Sequence, residues 1–278
     1  MEIQVTEIHE YIRWRKVFPT VWCSGCGIGT VMGTIIRAIH ALQIPKDKVS
    51  LISGIGCSSR MPIYLDFNTL HTTHGRAIPF ATGVKLSKPD MTVLVVSGDG
   101  DGMAIGGNHF IHACRRNIDL TMILINNGIY GMTGGQVAPT TPLGAKASTT
   151  PYGSIDPPFV PVELALGSGA TFVARGTSYH VNQTINYVRK AIEHKGFSMV
   201  EIMAQCPTLY GRLNNIPDPR DLFKWLRDNA VPLVKAQKMT PEELGDKFAI
   251  GIFRDEQKPE YCDEYSKLCE RVQKKMEG

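Results

Sequence analysis

Thr92-Val-Leu-Val-Val-Ser97 runs straight into Gly98-Asp-Gly-Asp-Gly102, and the architecture can be read from this stretch. Its first part is short, mostly β-branched and without alternation. Such a run reads as a strand buried on both faces, as in a parallel sheet. Further along, Leu120-Thr-Met-Ile-Leu-Ile125 repeats the pattern. Val49-Ser-Leu-Ile-Ser53 and Ser198-Met-Val-Glu-Ile-Met203 are weaker examples. Apolar residues at helical spacing fill 27–42, 108–116 and 179–194. Strands alternating with helices predict an α/β fold, a mostly parallel sheet flanked by helices on both faces. In such sheets ligands bind beyond the C-terminal ends of the strands.

The chain has 278 residues, 43% hydrophobic and 20% charged, which is the balance of a folded globular protein. A net charge of +4 with no Lys/Arg block gives no reason to expect a nucleic-acid partner. No apolar run approaches the ~20 residues of a membrane span. Residues 1–17 lack the apolar centre of a secretion signal, so a cytoplasmic protein with no membrane attachment is expected. Between Met132 and Pro161 lie six prolines and little periodicity, a loop long enough to be functional or to dock on something. Asn214 to Arg220 is turn chemistry. The charged last forty residues read as a peripheral arm. Two parts are therefore expected, a binding domain over 1–215 and a C-terminal arm over 216–278.

Two constellations carry chemistry. Behind the first strand stands Gly98-Asp99-Gly100, and behind the next Asn126-Asn127-Gly-Ile-Tyr-Gly131, with twenty-five residues between the GDG and the NN. Glycines let the backbone approach a phosphate closely. Asp99 offers a hard oxygen to a divalent cation. Asn127 can add an amide oxygen and Ile129 a carbonyl. Two diphosphate oxygens and a water would complete the octahedron that Mg²⁺ prefers. A helix starting after Gly102 points its N-terminus at the same anion. The pair at this spacing resembles the thiamine diphosphate signature.

The second constellation is four cysteines. Cys23 and Cys26 form a CxxC in Trp22-Cys-Ser-Gly-Cys-Gly27; Cys57 follows one candidate strand and Cys206, before Pro207, follows another. Four thiolates can hold a [4Fe–4S] cluster. A redox dithiol, a zinc site or plain burial are the other readings, although zinc usually shows two CxxC knuckles. Cys114, Cys262 and Cys269 read as core or surface thiols, Cys114 as buried.

Together the motifs are identifiable. WCSGCG (22–27), SGIGCSSR (53–60), HTTHGRAIPFATGVK (71–85), VVSGDGDG (95–102), INNGIYGMTGGQVAPTTP (125–142) and QCPT (205–208) stand in order. Over roughly residues 20–215 the chain resembles the β subunits of the 2-oxoacid:ferredoxin oxidoreductases, above all those acting on 2-oxoglutarate (2-oxoglutarate synthases). The resemblance implies the thiamine diphosphate-binding fold and a [4Fe–4S] cluster on Cys23, Cys26, Cys57 and Cys206. It implies Mg²⁺ on Asp99, Asn127 and Ile129. The cofactor cradle it implies comprises Ile55, Gly56, Cys57, Ser58, His74, Gly98, Asp99, Gly100, Asp101, Asn127, Ile129, Gly131, Met132 and Thr133.

His74 matches the family's THGR, which makes it a proton donor or oxyanion partner. Arg60 matches a basic position near coenzyme A or the substrate carboxylate. Arg60, Arg76 and Lys146 offer positive charge for the second carboxylate of 2-oxoglutarate; pyruvate and branched 2-oxoacids are the other substrates the family admits. The implied reaction is oxidative decarboxylation of a 2-oxoacid to an acyl-CoA and CO₂, reversible as reductive carboxylation, with electrons passed to ferredoxin. No glutamate here matches the residue that activates the cofactor. The family carries it on a companion α chain, in a dimer of αβ heterodimers, so this chain alone is expected to be inactive. A non-redox thiamine enzyme would leave the cysteines idle. A zinc-binding interaction module would leave the GDG and NN pair as accident.

Overall fold

A computed structural model describes residues 8–13 and 18–276. The stretch read for a secretion signal lies largely outside these residues.

The four apolar runs all form strands: β1 (Val49–Ser53), β3 (Thr92–Gly98), β4 (Thr121–Asn126) and β8 (Ser198–Met203). With β2 (Asn68–His71), β7 (Phe172–Thr177), β9 (Ala230–Pro232) and β10 (Phe248–Asp255) they build one eight-stranded sheet, in the order β2-β1-β3-β4-β8-β7-β10-β9. Every neighbouring pair in it is parallel except β7 with β10. β5 (Ile129–Tyr130) and β6 (Gln136–Val137) form a separate small hairpin.

Residues one apart on a strand point to opposite faces, which explains the absence of alternation in β3. Leu94 and Val96 join the core on one face, with Ile35 and Ile39 of α1 (Ile28–Ala41) and Val188 of α5 (Val181–Glu193). Val93 and Val95 join the core on the other. There they meet Ala81 of α2 (Ala77–Ser87), Phe110 of α3 (Gly107–Arg116) and Ala165 of α4 (Pro161–Gly167). Cys114 of α3 is fully buried in this second layer. Both faces are covered, as expected. No helix among the described residues is long and apolar enough to cross a membrane.

The sheet crosses the boundary expected at residue 215. After α6 (Pro219–Asn229), β9 and β10 extend the sheet, β10 along β7. The last helix, α7 (Tyr261–Met276), is mostly exposed, yet its start is anchored. Glu260 is buried and accepts the backbone N–H of Asp119 at 3.0 Å, of Cys262 at 2.8 Å and of Asp263 at 2.9 Å. An acidic side chain on the free amides of a helix start is a favourable cap.

From β1 the chain steps outward to β2 and then returns to β3 on β1's other side. The crevice between the C-terminal ends of β1 and β3 is thus the topological switch point, where open α/β sheets place ligands.

Candidate active site

A cleft of about 490 Å³, counting its open mouth, lies at that switch point. Its walls are the turn leaving β1 (Ile55, Gly56, Cys57, Ser58), the turn leaving β3 (Gly98, Asp99, Gly100, Asp101), and Asn127 with Ile129 to Thr133 behind β4, together with His74. Every residue expected in the cradle lines it. Ile125 and Tyr130 line it too and were not expected. Tyr130 donates its hydroxyl to the Gly100 carbonyl at 2.9 Å and lays its ring where any side chain on Gly100 would stand.

Asp99 is 2% exposed. Its Oδ2 accepts the Gly128 N–H at 2.9 Å and the Thr140 hydroxyl. Thr141 donates to the Gly128 carbonyl at 2.7 Å, so the proline-rich loop clamps this turn. No basic side chain pairs with Asp99 among the described residues. Burial pushes its carboxyl up to about 6, against the opposing pull of the Thr140 and Gly128 hydrogen bonds. A buried, unpaired carboxylate is costly without a cation. Beside it Asn127 lines the same cleft, and a carboxylate with an amide oxygen is the hard donor type that suits Mg²⁺.

Asp101 lines the cleft and also organises its rim. Its carboxylate is turned into the protein and accepts from Ile55 N–H at 3.2 Å, Gly75 N–H at 2.8 Å, His74 Nδ1 at 2.8 Å and Ser97 Oγ at 2.8 Å. A carboxylate with these donors only accepts, so Nδ1 of His74 carries the proton. Nε2 is then the His74 atom left for a ligand. Gly54 is required by this arrangement, since a Cβ there would stand 2.0 Å from Asp101 Oδ2. Gly54→Ala is expected to cost about 1–3 kcal/mol, as overpacking does. Denaturant melts measure it, and an unchanged midpoint would remove Asp101 as the organiser of the rim.

The four cysteines gather beside the cleft. Trp22 Nε1 donates to the Cys57 carbonyl at 2.8 Å and the Gly27 N–H to the Gln205 carbonyl at 3.0 Å. These two bonds pin the CxxC loop to the exits of β1 and β8. A Cβ at Gly131 would lie 3.3 Å from the Cys57 sulfur and 3.9 Å from that of Cys206. Burial pushes the Cys26 thiol up to about 12 and that of Cys57 to about 11, and raises that of Cys206; neighbouring cysteines of the set add to each rise. Each of the four feels the others, yet no three His, Cys, Asp or Glu side chains among the described residues converge as ligands of one ion.

The basic candidates are less well placed. Arg60 ends a short turn after Ser58, half-buried and outside the cleft lining. Arg76 and Lys146 are exposed.

Fold and cleft define a thiamine pyrophosphate enzyme: the family model for the C-terminal TPP-binding domain of these enzymes matches residues 54–202. The 2-oxoglutarate synthase subunit KorB of Methanocaldococcus jannaschii is 52% identical, over 95% of this chain and 97% of that relative. The KorB subunit of Archaeoglobus fulgidus is 48% identical, over 96% of each. A solved structure, the 2-oxoglutarate:ferredoxin oxidoreductase from Magnetococcus marinus with 2-oxoglutarate, coenzyme A and succinyl-CoA bound, aligns with a TM-score of 0.85. It is 36% identical and covers 95% of this chain and 90% of that one. The chain belongs to the β subunits of the 2-oxoacid:ferredoxin oxidoreductases, in the 2-oxoglutarate synthase branch.

Proposed function

We propose that the chain holds Mg²⁺ and thiamine diphosphate in this cleft and, with a companion α chain, oxidises 2-oxoglutarate and coenzyme A to succinyl-CoA and CO₂. Ferredoxin takes the electrons, and the same groups serve reductive carboxylation. Thiamine diphosphate, when bound, supplies the carbon nucleophile and the electron sink for decarboxylation. Asp99, Asn127 and the Ile129 carbonyl would hold Mg²⁺. Gly98, Gly100 and Gly131, with Ile55, Gly56, Ser58, Met132 and Thr133, line the space for the cofactor. His74, its Nδ1 fixed by Asp101, gives or takes a proton at Nε2. Arg60 lies close enough along the chain to Ser58 to serve a substrate or coenzyme A carboxylate or phosphate at the mouth.

Cys23, Cys26, Cys57 and Cys206 would hold a [4Fe–4S] cluster. One observation carries the reading: Cys57 lines the cofactor cleft and belongs to the four-thiol group at the same time. Electrons leaving the cleft would have a short way to go. The glutamate that activates the cofactor would come from the α chain, in a cytoplasmic dimer of αβ heterodimers. Residues 1–215 would carry the cofactor and cluster ligands; the exposed side of the 216–278 segment, whose strands extend the same sheet, would pack on the companion.

The test is anaerobic purification with the α chain. About four irons and four sulfides per β chain are expected. Their visible absorption should bleach on adding 2-oxoglutarate with coenzyme A, and much less with pyruvate. Zinc or no metal, in a complex that still binds thiamine diphosphate, would overturn the redox reading.

A further inference from the structure

Beneath the Asn126–Asn127 turn lies a buried ionic relay that the chemistry above does not use. Glu201 of β8 is 1% exposed and Arg175 of β7 is 8% exposed. The two face each other in register across the parallel pair. Arg175 Nε donates to Glu201 Oε2 at 2.7 Å, and Asn126 Nδ2 donates to Glu201 Oε1 at 2.7 Å. Asn126 Oδ1 then accepts the Gly128 N–H at 3.2 Å, the same N–H that reaches Asp99 Oδ2 at 2.9 Å. The contacts run unbroken from a buried ion pair to the carboxylate assigned to Mg²⁺.

Stability does not account for this pair. Two charges taken out of water lose hydration that their attraction roughly repays, and an apolar pair of the same volume is often as good or better. What the pair does uniquely is fix an amide. Both Glu201 oxygens can only accept, so the Asn126 NH₂ must face Glu201 and its oxygen must face Gly128. Gly128 has φ +68° there, a conformation glycine adopts freely, and its N–H is shared between Asn126 and Asp99. Arg175 keeps Glu201 from turning away. It is itself tied to the C-terminal strand, by a bond from Nη1 to the Ala249 carbonyl at 3.4 Å and by its position 5.6 Å over the Phe253 ring.

We propose that Glu201 is a positioning residue for the metal-holding turn, acting through Asn126, with Arg175 fixing it and fastening β10 to the same relay. The inference rests on the reading that Asp99 and Asn127 hold Mg²⁺ with thiamine diphosphate.

The test is calorimetric titration of thiamine diphosphate into the assembled αβ complex at a series of Mg²⁺ concentrations. The side chain introduced by Glu201→Gln has one acceptor and one donor end, so it cannot accept from both Arg175 and Asn126. Glu201→Gln is expected to raise the Mg²⁺ concentration for half-maximal binding about tenfold or more, the usual cost of losing a partner behind a metal ligand. Adding Asn126→Asp should restore most of that loss, because the introduced amide can then donate to the introduced carboxylate and accept from Arg175. A role in stability alone would lower the melting point of the cofactor-free complex and leave the Mg²⁺ dependence untouched. That result, or a loss the double variant does not rescue, overturns the inference. Should Glu201→Gln fail to assemble, Asn126→Ala carries the same test: a raised Mg²⁺ requirement supports the relay and an unchanged one removes it. If the unaltered complex shows no Mg²⁺-dependent binding at all, the reading of the cleft falls, and the relay with it.

Discussion

Asp99→Asn is expected to abolish the Mg²⁺-dependent binding of thiamine diphosphate and, at the same time, to raise the melting temperature of the cofactor-free protein. The two effects have one cause. An asparagine oxygen can accept from the Gly128 N–H and the Thr140 hydroxyl as Asp99 Oδ2 does, so the turn keeps its shape. Only the charge goes. Without a cation that charge is buried at 2% exposure and unpaired, an unfavourable state that the substitution relieves. With the cation, the charge is what holds it. Cofactor at a hundred times its dissociation constant stabilises the native state by about 2.7 kcal/mol. Each kcal/mol moves the midpoint of a chain this long by roughly 2–4 °C. The unaltered protein should therefore gain several degrees with Mg²⁺ and thiamine diphosphate, and the variant almost nothing. Turnover of the assembled complex at limiting cofactor should fall roughly 100-fold or more, about 2.7 kcal/mol in activation free energy. Thermal melts with and without the cofactor pair decide it. A variant that melts lower than the parent and still gains from Mg²⁺ would remove Asp99 as a metal ligand.

Opposite signs would mark Asp99 as a residue kept for function at a cost to the empty fold, and a like contrast separates what the sequence displays from what it hides. β1, β3, β4 and β8 are legible because strands buried on both faces must be continuously apolar. β7 is as buried, yet Arg175 and Gly176 interrupt it, and its partner Glu201 lies on another strand. A charge that satisfies a charge across a sheet looks like a surface residue until the two are brought together. β2 is an edge strand with Leu70 37% exposed, so no apolar run marks it. β10 is partly covered along most of its length and carries Gly251 and Arg254, so its place in the sheet shows in its pairing with β7 rather than in its own pattern.

The cleft was legible for a related reason. Its walls are three turns at strand ends, and each turn carries its chemistry in consecutive residues. Tyr130 lies inside such a motif but works through its ring against Gly100, a contact thirty residues apart along the chain. Thr140 belongs to a proline-rich loop whose only sequence signal is irregularity, and its bond to Asp99 exists only in three dimensions. Asp101 reads like Asp99, two residues away and equally acidic. Both line the cleft, and what separates them is what their carboxylates meet. The presence of donors at Ile55, Gly75 and His74 draws Asp101 inward. Arg60 shows the converse case, a charge of the right sign whose place the sequence does not determine.

Replacing Cys206 with alanine should strip the iron and spare the cofactor. Cys206 follows β8 and lies outside the lining of the thiamine cleft, whereas Cys57 belongs to both places; removing Cys206 thus tests the thiol group without touching the cradle. Its sulfur faces that of Cys57 across Gly131, and burial raises its thiol pKa with Cys23 adding to the rise. Cys26, Cys57 and Cys206 are half-buried, which raises their thiol pKa values, and such thiols become thiolates only where a cationic core compensates them. In the αβ complex purified without oxygen, Cys206→Ala is expected to lower iron and sulfide from about four of each to a small fraction. Ferredoxin reduction driven by 2-oxoglutarate should fall by about three orders of magnitude, near 4 kcal/mol. Thiamine diphosphate binding and its Mg²⁺ requirement should stay as they were. Cys269→Ala is the matched control, a thiol of α7 far along the chain from the group, and should keep its iron. Full iron in Cys206→Ala would take that residue out of the ligand set. Loss of iron with undiminished ferredoxin reduction would place the electron path elsewhere, and the closeness of thiols and cleft would then need another explanation.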